Sequence, residues 1–369
     1  MSYDETIAYL YSLQKYGIKF GLENIRKLSS ALGNPHKSFQ TIHVAGTNGK
    51  GSTSAIIASI LQSSGMRVGL FTSPHLISFT ERIRINSEQI PEEVVVRLAS
   101  EIKDIASRCE DLQPTFFKVV TAIALLWFQR QKVDTAVMEV GMGGRLDATN
   151  IIEPLVSVIT DISIDHKDFL GSTLGEIARE KAGIIKNGVP VVSSDQGSEA
   201  AEVIIKAAKA TDSPLYLYGR DFSASLKDVD ESGTIFDYSD GPLQLKDLFV
   251  PLPGEHQTKN SSIAIKAATI FLDSIGVHSQ STLRDLIRNG LESTKWPGRA
   301  ELIRGNPCFL IDGAHNPAAA NALAETIKKV FLKKYKKIIM VLGIMSDKDI
   351  QGIMKPLLPL ASDIVLTAP

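Results

Sequence analysis

The chain has 369 residues, enough for two domains, and its 40 basic and 41 acidic side chains leave a formal charge of −1. That balance provides no electrostatic footprint for nucleic acid or an anionic membrane surface, so the expected partners are small molecules. Cys109 and Cys308 are the only cysteines and lie far apart, which excludes a disulfide framework or a thiolate zinc site and fits a reducing compartment.

Two amphipathic stretches, Thr6 to Leu13 and Leu22 to Leu32, open the chain and flank Gly17–Gly21. Thr41 to Val44 reads as a buried strand and Ala55 to Leu61 as a helix, and between them runs Val44-Ala45-Gly46-Thr47-Asn48-Gly49-Lys50-Gly51-Ser52. Glycines at 46, 49 and 51 let backbone N–H groups converge on phosphate oxygens, the helix start directs its positive end at the same charge, and Lys50 neutralises the β/γ-phosphates. ATP or GTP is therefore the first ligand to consider. The spacing departs from the usual phosphate loop, with Val44 where a glycine is wanted and Gly51 where a hydroxyl is wanted, Ser52 arriving one residue late. The competing reading is an ordinary glycine turn before a helix.

Further on, Arg67 to Phe71, Thr135 to Val140 and Leu155 to Ile162 read as strands, and Phe116 to Gln129 and Thr173 to Lys186 as helices, the last opened by Thr173 and Glu176 in capping-box spacing. Such alternation predicts an α/β fold with a mostly parallel sheet. Phe222 to Pro253 reads as a small antiparallel patch, followed by helices at Asn260 to Ser274 and Leu283 to Leu291. Ser293 to Gly298 breaks the periodicity and divides the chain into 1–294 and 295–369. The second unit alternates strand and helix again, through Cys308 to Ile311, Ala318 to Val330, Ile338 to Leu342, Ile350 to Leu358 and Ile364 to Leu366. It is short for a domain and stops after an apolar strand, so the expectation is a smaller Rossmann-like unit that is C-terminally shortened. No basic-then-apolar leader and no apolar run of membrane-spanning length is present, which predicts a soluble cytoplasmic protein.

Together with the loop, an ordered set of segments makes the chain resemble the folylpolyglutamate synthase and dihydrofolate synthase family, relatives of the Mur ligases. The segments are Phe71–Leu76, Glu81–Asn86, Glu139–Asn150, Asp165-His166, Arg179–Ile185, Trp296–Arg299 and Asp312–Pro317. The resemblance implies a P-loop-type ATPase domain and a ligase that uses ATP to phosphorylate a folate or dihydropteroate carboxylate, the acyl phosphate then being attacked by the amino group of L-glutamate. It further implies a Mg²⁺ site at Ser73, Glu139 and His166, and carbamylation of Lys181, whose plain alternative is a solvated lysine on a charged helix. Glu139 also stands out unaided, because a carboxylate in the apolar run Ala136-Val137-Met138-Glu139-Val140 needs a partner.

By the same resemblance Asn260, Arg299 and Asp312 contact the nucleotide, Arg299 as a fork donor over the phosphates and Asp312 accepting from ribose hydroxyls. His315 lies near the glutamate and nucleotide site, with Lys50 and Lys181 in the catalytic set. Asp347-Lys348-Asp349 matches a family motif without a sharper role. Thr115, Phe116, Phe117 and Lys118 correspond to the pterin side of the pocket, as do Arg145 and Asp147, and Gly17–Gly21 shapes its edge. Arg145–Asn150 is closer to the branch that also adds the first glutamate. Two departures stand out. Lys118 takes a place where the family commonly has glutamate, so that either the pterin preference changes or the lysine turns outward. The short second unit leaves out family residues that help bind glutamate, if the protein itself ends at Pro369. A monomer is expected, with closure of one unit on the other completing the site. The alternatives are a cell-wall Mur-type amino-acid ligase, against which Phe71–Leu76 and Glu81–Asn86 speak, and a nucleotide-binding homologue without catalysis.

Overall fold

The computed structural model describes residues 1–16, 21–108, 112–277 and 279–368. Its main sheet has eight strands: β1 Gln40–Ala45, β2 Val68–Phe71, β3 Ile83–Ile85, β4 Glu88–Gln89, β5 Thr135–Glu139, β6 Val156–Ile159, β7 Val191–Ser193 and β8 Leu215–Leu217, in the order β4-β3-β2-β5-β1-β6-β7-β8. From β2 to β8 neighbouring strands run parallel, while β3 and β4 add an antiparallel edge. β1, β5 and β6 are apolar because helices cover both faces: Lys50–Ser63 and His256–Ser274 on one side, Phe116–Arg130 on the other. β1 lies between β5 and β6, so the chain turns in opposite directions from its neighbouring strands, and the crevice past their carboxyl ends is where such sheets bind ligands.

The antiparallel patch is a three-stranded sheet, β9 Ser223–Asp230, β10 Gly233–Asp240 and β11 Leu243–Val250. Phe236, Tyr238 and Leu248 alternate inward onto Ile263 and Phe271 of the helix behind them. Beyond residue 300, β12 Glu301–Ile303 pairs antiparallel with β13 Phe309–Ile311, and β14 Ile339–Leu342 pairs parallel with β15 Asp363–Leu366. The helix Pro317–Thr326 starts where the Asn316 side chain accepts from the N–H of Ala319 with Pro317 in the first turn, and packs Ala320 and Ala324 on Met340, Ile353 and Leu357.

The segment read as helix from Thr173 to Lys186 is helical only over Leu174–Ala182, with its capping box in place. It stops at Gly183, where a Cβ would press into Arg145. The helix after Pro317 passes at residue 327 into a π-turn, Ile327–Phe331. Helices Glu92–Ser107 and Ser198–Ala210 and the short strands β3, β4, β7 and β8 join the elements expected from periodicity. Among the described residues no helix is long and apolar enough to cross a membrane.

Candidate active site

The carboxyl ends of β1, β2, β5 and β6 open into one cavity of about 1140 Å³, closed on its far side by the second unit. β1 delivers the glycine loop. Gly49 takes φ 83° and caps the helix Lys50–Ser63, so the N–H groups of the first helical turn, which have no intrahelical acceptor, face the cavity wall formed by Gly49, Lys50, Gly51 and Ser52. The rest of the loop is tied to the strand beside it. The N–H groups of Thr47 and Asn48 donate to the Asp161 carbonyl at 2.7 and 3.2 Å, and the Asn48 amide donates to Ser163 Oγ at 2.7 Å. Gly46 is held where a side chain would collide with Thr160. Thr47 and Asn48 thus spend their N–H groups bracing the loop, Gly46 shapes it, and the open donors lie in the Gly49–Ser52 part of the expected set. At Gly51 a Cβ would stand 2.9 Å from Cζ2 and 3.0 Å from Nε1 of Trp296, which explains a glycine where a hydroxyl is usual.

Glu139 ends β5 and is 3% exposed, its Oε2 accepting the Ser73 N–H at 3.1 Å. Burial raises its pKa, opposed by Lys50, the Ser73 N–H, Arg299 and Arg82. His166 lies across the cavity in left-handed backbone at φ 50°, beside Asp165. Its pKa is lowered chiefly by burial, against the pull of Asp165. Ser73, Glu139 and His166 therefore line one cavity, the first two joined by a hydrogen bond. No group of three or more His, Cys, Asp and Glu side chains arranged to hold a metal occurs among the described residues. A single carboxylate with a hydroxyl and an imidazole next to a phosphate loop still fits Mg²⁺, which is usually held by one or two carboxylates, waters and substrate phosphates.

Lys181 is buried, and its Nζ donates to the Gly46 carbonyl at 2.7 Å. Burial first, and the charge of Lys50 second, bring its pKa down to about 7. This is not the solvated lysine of a charged helix face.

From the second unit Arg299, Asp312 and His315 reach the same cavity, with Asn260 opposite. The Asp312 carboxylate accepts the N–H groups of Ala300 and Ala314, both at 2.8 Å, and burial raises its pKa against those donors. Asn260 donates to Gln257 Oε1 at 3.0 Å. The two units meet at Asp165: Lys348 Nζ donates to Oδ1 at 3.0 Å, while Asn316 Nδ2 lies 3.3 Å and His315 Nε2 3.6 Å from Oδ2. Asn316 also donates to Asn48 Oδ1 at 2.9 Å, linking the second unit to the phosphate loop. Burial alone would raise the Asp165 pKa, but the His315 hydrogen bond and the charges of His166 and Lys348 hold it well below the usual carboxylate range.

The opposite end of the cavity is aromatic. Thr115, Phe116, Phe117 and Lys118 line it, and Tyr11 stacks on Phe116 with centroids 5.3 Å apart and planes 9° from parallel. Lys118 is 5% exposed and on the cavity wall, so it does not turn outward. Asp147 is held by the N–H groups of Gly141 and Met142 and by Thr149, and also lines the cavity. Arg145 is not brought there: it pairs with Glu180 at 2.8 Å on the surface. Gly17–Phe20 lie outside the described residues. Sequence reasoning missed Arg82, Asp161, Asp165 and His256 as cavity or cavity-edge groups. The first and third lie inside segments it quoted, whereas nothing local marks His256, which burial brings down to a pKa of about 4.

A phosphate loop at the switch point of a parallel sheet, facing a second α/β unit across a cavity, defines a Mur-type ligase scaffold. Residues 44–268 match the Mur ligase middle domain and residues 298–369 the Mur ligase glutamate ligase domain. The folylpolyglutamate synthase of Lacticaseibacillus casei is 39% identical over 353 residues, covering 95% of this chain and 81% of that protein. The dihydrofolate synthase/folylpolyglutamate synthase of Bacillus subtilis is 38% identical, covering 98% and 84%. A folylpolyglutamate synthase solved with AMPPCP and folate superposes with a TM-score of 0.90 at 38% identity, covering 100% of this chain and 89% of that one. The chain belongs to the folylpolyglutamate synthase/dihydrofolate synthase family.

Proposed function

We infer that the protein is an ATP-dependent ligase that joins L-glutamate to the carboxylate of dihydropteroate, of a tetrahydrofolate glutamate, or of both. The observation that carries this reading is the single cavity in which the loop of Gly49–Ser52, the buried Glu139 and the stacked Tyr11–Phe116 wall face one another. The relative bound to AMPPCP, a methylene analogue of ATP, and to folate supports it. The chemistry requires that a triphosphate and a carboxylate be brought together in line; the carboxylate oxygen takes the γ-phosphoryl group as ADP leaves, and glutamate nitrogen then displaces phosphate from the acyl carbon. Lys50 and the first-turn N–H groups hold the phosphates, with Asn260, Arg299 and Asp312 around the rest of the nucleotide. Thr115, Phe116, Phe117, Lys118 and Asp147 receive the pterin side, and His315 borders the entry for glutamate. Mg²⁺ at Ser73, Glu139 and His166 would supply charge screening and keep Glu139 ionised despite its burial.

A buried amine with a pKa of about 7 has a substantial neutral fraction near neutral pH, which an ordinary lysine lacks, and the neutral amine is the form that adds CO₂. This supports carbamylation of Lys181, and ¹³C-bicarbonate labelling should give a carbamate resonance lost in Lys181→Arg. We further propose units 1–294 and 295–369, monomeric and cytoplasmic, with closure about the linker during turnover; unchanged small-angle scattering on adding AMPPCP with folate would count against closure. Phosphate release with Mg-ATP and glutamate tests the whole reading, comparing dihydropteroate, tetrahydrofolate and no pterin, with Glu139→Ala alongside. Release dependent on a pterin acid supports the ligase, whereas ATP binding without any such release leaves a nucleotide-binding homologue.

A further inference from the structure

A carboxylate awaiting phosphorylation must be held beside the triphosphate, and cations engaged with the phosphates cannot hold it as well. Among the described residues the cavity wall carries two arginines, Arg299 from the second unit and Arg82 from the first. Arg82 is 7% exposed and sits where the aromatic wall meets the sheet ends, its Cζ 5.5 Å from the centroid of Phe116 and its charge acting on Glu139. Its Nε donates to His75 Nδ1 at 2.8 Å. A guanidinium N–H can only donate, so Nδ1 accepts, and the other ring nitrogen, Nε2, lies 3.3 Å from the Tyr11 hydroxyl. The guanidinium is thereby tied back through one nitrogen and supported on one face. Among the described residues neither Nη atom has a hydrogen-bond or ion-pair partner. The carboxylates of Glu139 and Glu81 act on the guanidinium through space without a hydrogen bond, and arginine stays charged rather than shed its proton, so a directly bonded anion is still wanted. A fixed fork with two open donors is a receptor for a planar anion.

We propose that Arg82 binds the reacting carboxylate of the pterin substrate through its two Nη atoms, orienting it between the aromatic wall and the phosphate loop. The assignment rests on the ligase reading above. It gives the cations separate tasks, with Lys50 and Arg299 on the nucleotide and Arg82 on the acid that attacks it.

The test measures binding in the presence of Mg-AMPPCP, using dihydropteroate and tetrahydrofolate and, for each, the analogue whose reacting carboxylate is a carboxamide. In the wild-type protein the acid is expected to bind about 10- to 100-fold more tightly than its amide, as befits a charge-assisted fork. In Arg82→Gln the acid should fall to the level of the amide, while amide and AMPPCP affinities hold. Arg82→Lys, which keeps the charge without the fork, should lie between. Equal weakening of acid and amide would overturn the assignment and leave Arg82 as packing for Phe116. So would undiminished acid binding in Arg82→Gln, or, should that variant unfold, an unchanged acid-to-amide ratio in Arg82→Lys. Failure of both acids to bind the wild-type protein, with AMPPCP still bound, would instead overturn the ligase reading, and the assignment with it.

Discussion

Val44, Val137 and Val158, in β1, β5 and β6, are all 0% exposed, whereas at the place where the second unit meets the first, Lys348 and Asn316 reach Asp165 through side-chain hydrogen bonds. The first region carries the phosphate loop and Glu139 on a sheet packed from both sides. The second carries Arg299, Asp312 and His315 and meets the first through polar contacts at Asp165 and Asn48, and through Val229 of β9 packed with Ile327, Val330 and Phe331. One half of the site is therefore set by a core packed on both faces of a sheet, and the other is delivered across a joint that mixes hydrogen bonds with a small apolar contact. That division suits a reaction in which substrates must enter between the two units and then be enclosed.

Removing a working group from the rigid half should have the largest effect. Lys50→Met is expected to lower pterin-dependent phosphate release by about 1000-fold with the melting temperature retained, since a positioned cation acts chiefly on developing charge; a loss under about tenfold would separate the loop from the phosphate transferred. Deleting core volume there comes next. Phe271→Ala, fully buried between the antiparallel patch and the main sheet, should cost about 3–5 kcal/mol in urea denaturation. Breaking the polar joint should be milder but directional. Asp165→Asn removes the nearer carboxylate from Lys348 and is expected to weaken docking by about 2 kcal/mol, less than an isolated buried pair because Asp347 remains 3.8 Å from the ammonium. Faster proteolysis in the linker around residues 293–298, with the first unit's melting unchanged, would show it; uniform destabilisation of both units would erase the contrast.

Acid should act on the rigid half as well. His43, inside β1, is brought by burial, and secondarily by Lys186, to a pKa of about 3. Between the unfolded value near 6.5 and that folded value the unfolded chain binds the extra proton, so stability falls as pH drops through this window, by about 1.4 kcal/mol per pH unit. His43→Gln should flatten that slope in urea midpoints measured from pH 7 to 4. The smallest effect belongs to an exposed helix pair of the first unit, Lys206–Glu202, where Lys206→Ala should change stability by less than about 0.5 kcal/mol.

What could be read from the residues follows the same line. The loop, the buried setting of Glu139 and the start of the helix after Thr173 were legible because each is a local signal: glycines between a strand and a helix, a carboxylate inside an apolar run, a capping box. The joint at Asp165 was not, since its partners Lys348 and Asn316 belong to the other unit and nothing near residue 165 announces them. Nor could spacing reveal that Thr47 and Asn48 spend their N–H groups on Asp161, a pairing made by the fold, or that Arg145 turns to Glu180 instead of the cavity. Arg82 was quoted as part of a segment, but its role depends on what His75 and Phe116 do to it in space.

The indole that forbids a side chain at Gly51 has a further consequence. Trp296 sits in the linker with its ring against the first turn of the phosphate-binding helix, Arg84 5.4 Å from its centroid, and its buried Nε1 without a partner among the described residues. The other tryptophan, Trp127, lies in a separate core beside Phe128. The protein thus carries an optical reporter at the junction of loop and hinge, and in a Trp127→Phe background its emission should register nucleotide arrival and unit movement without any added label.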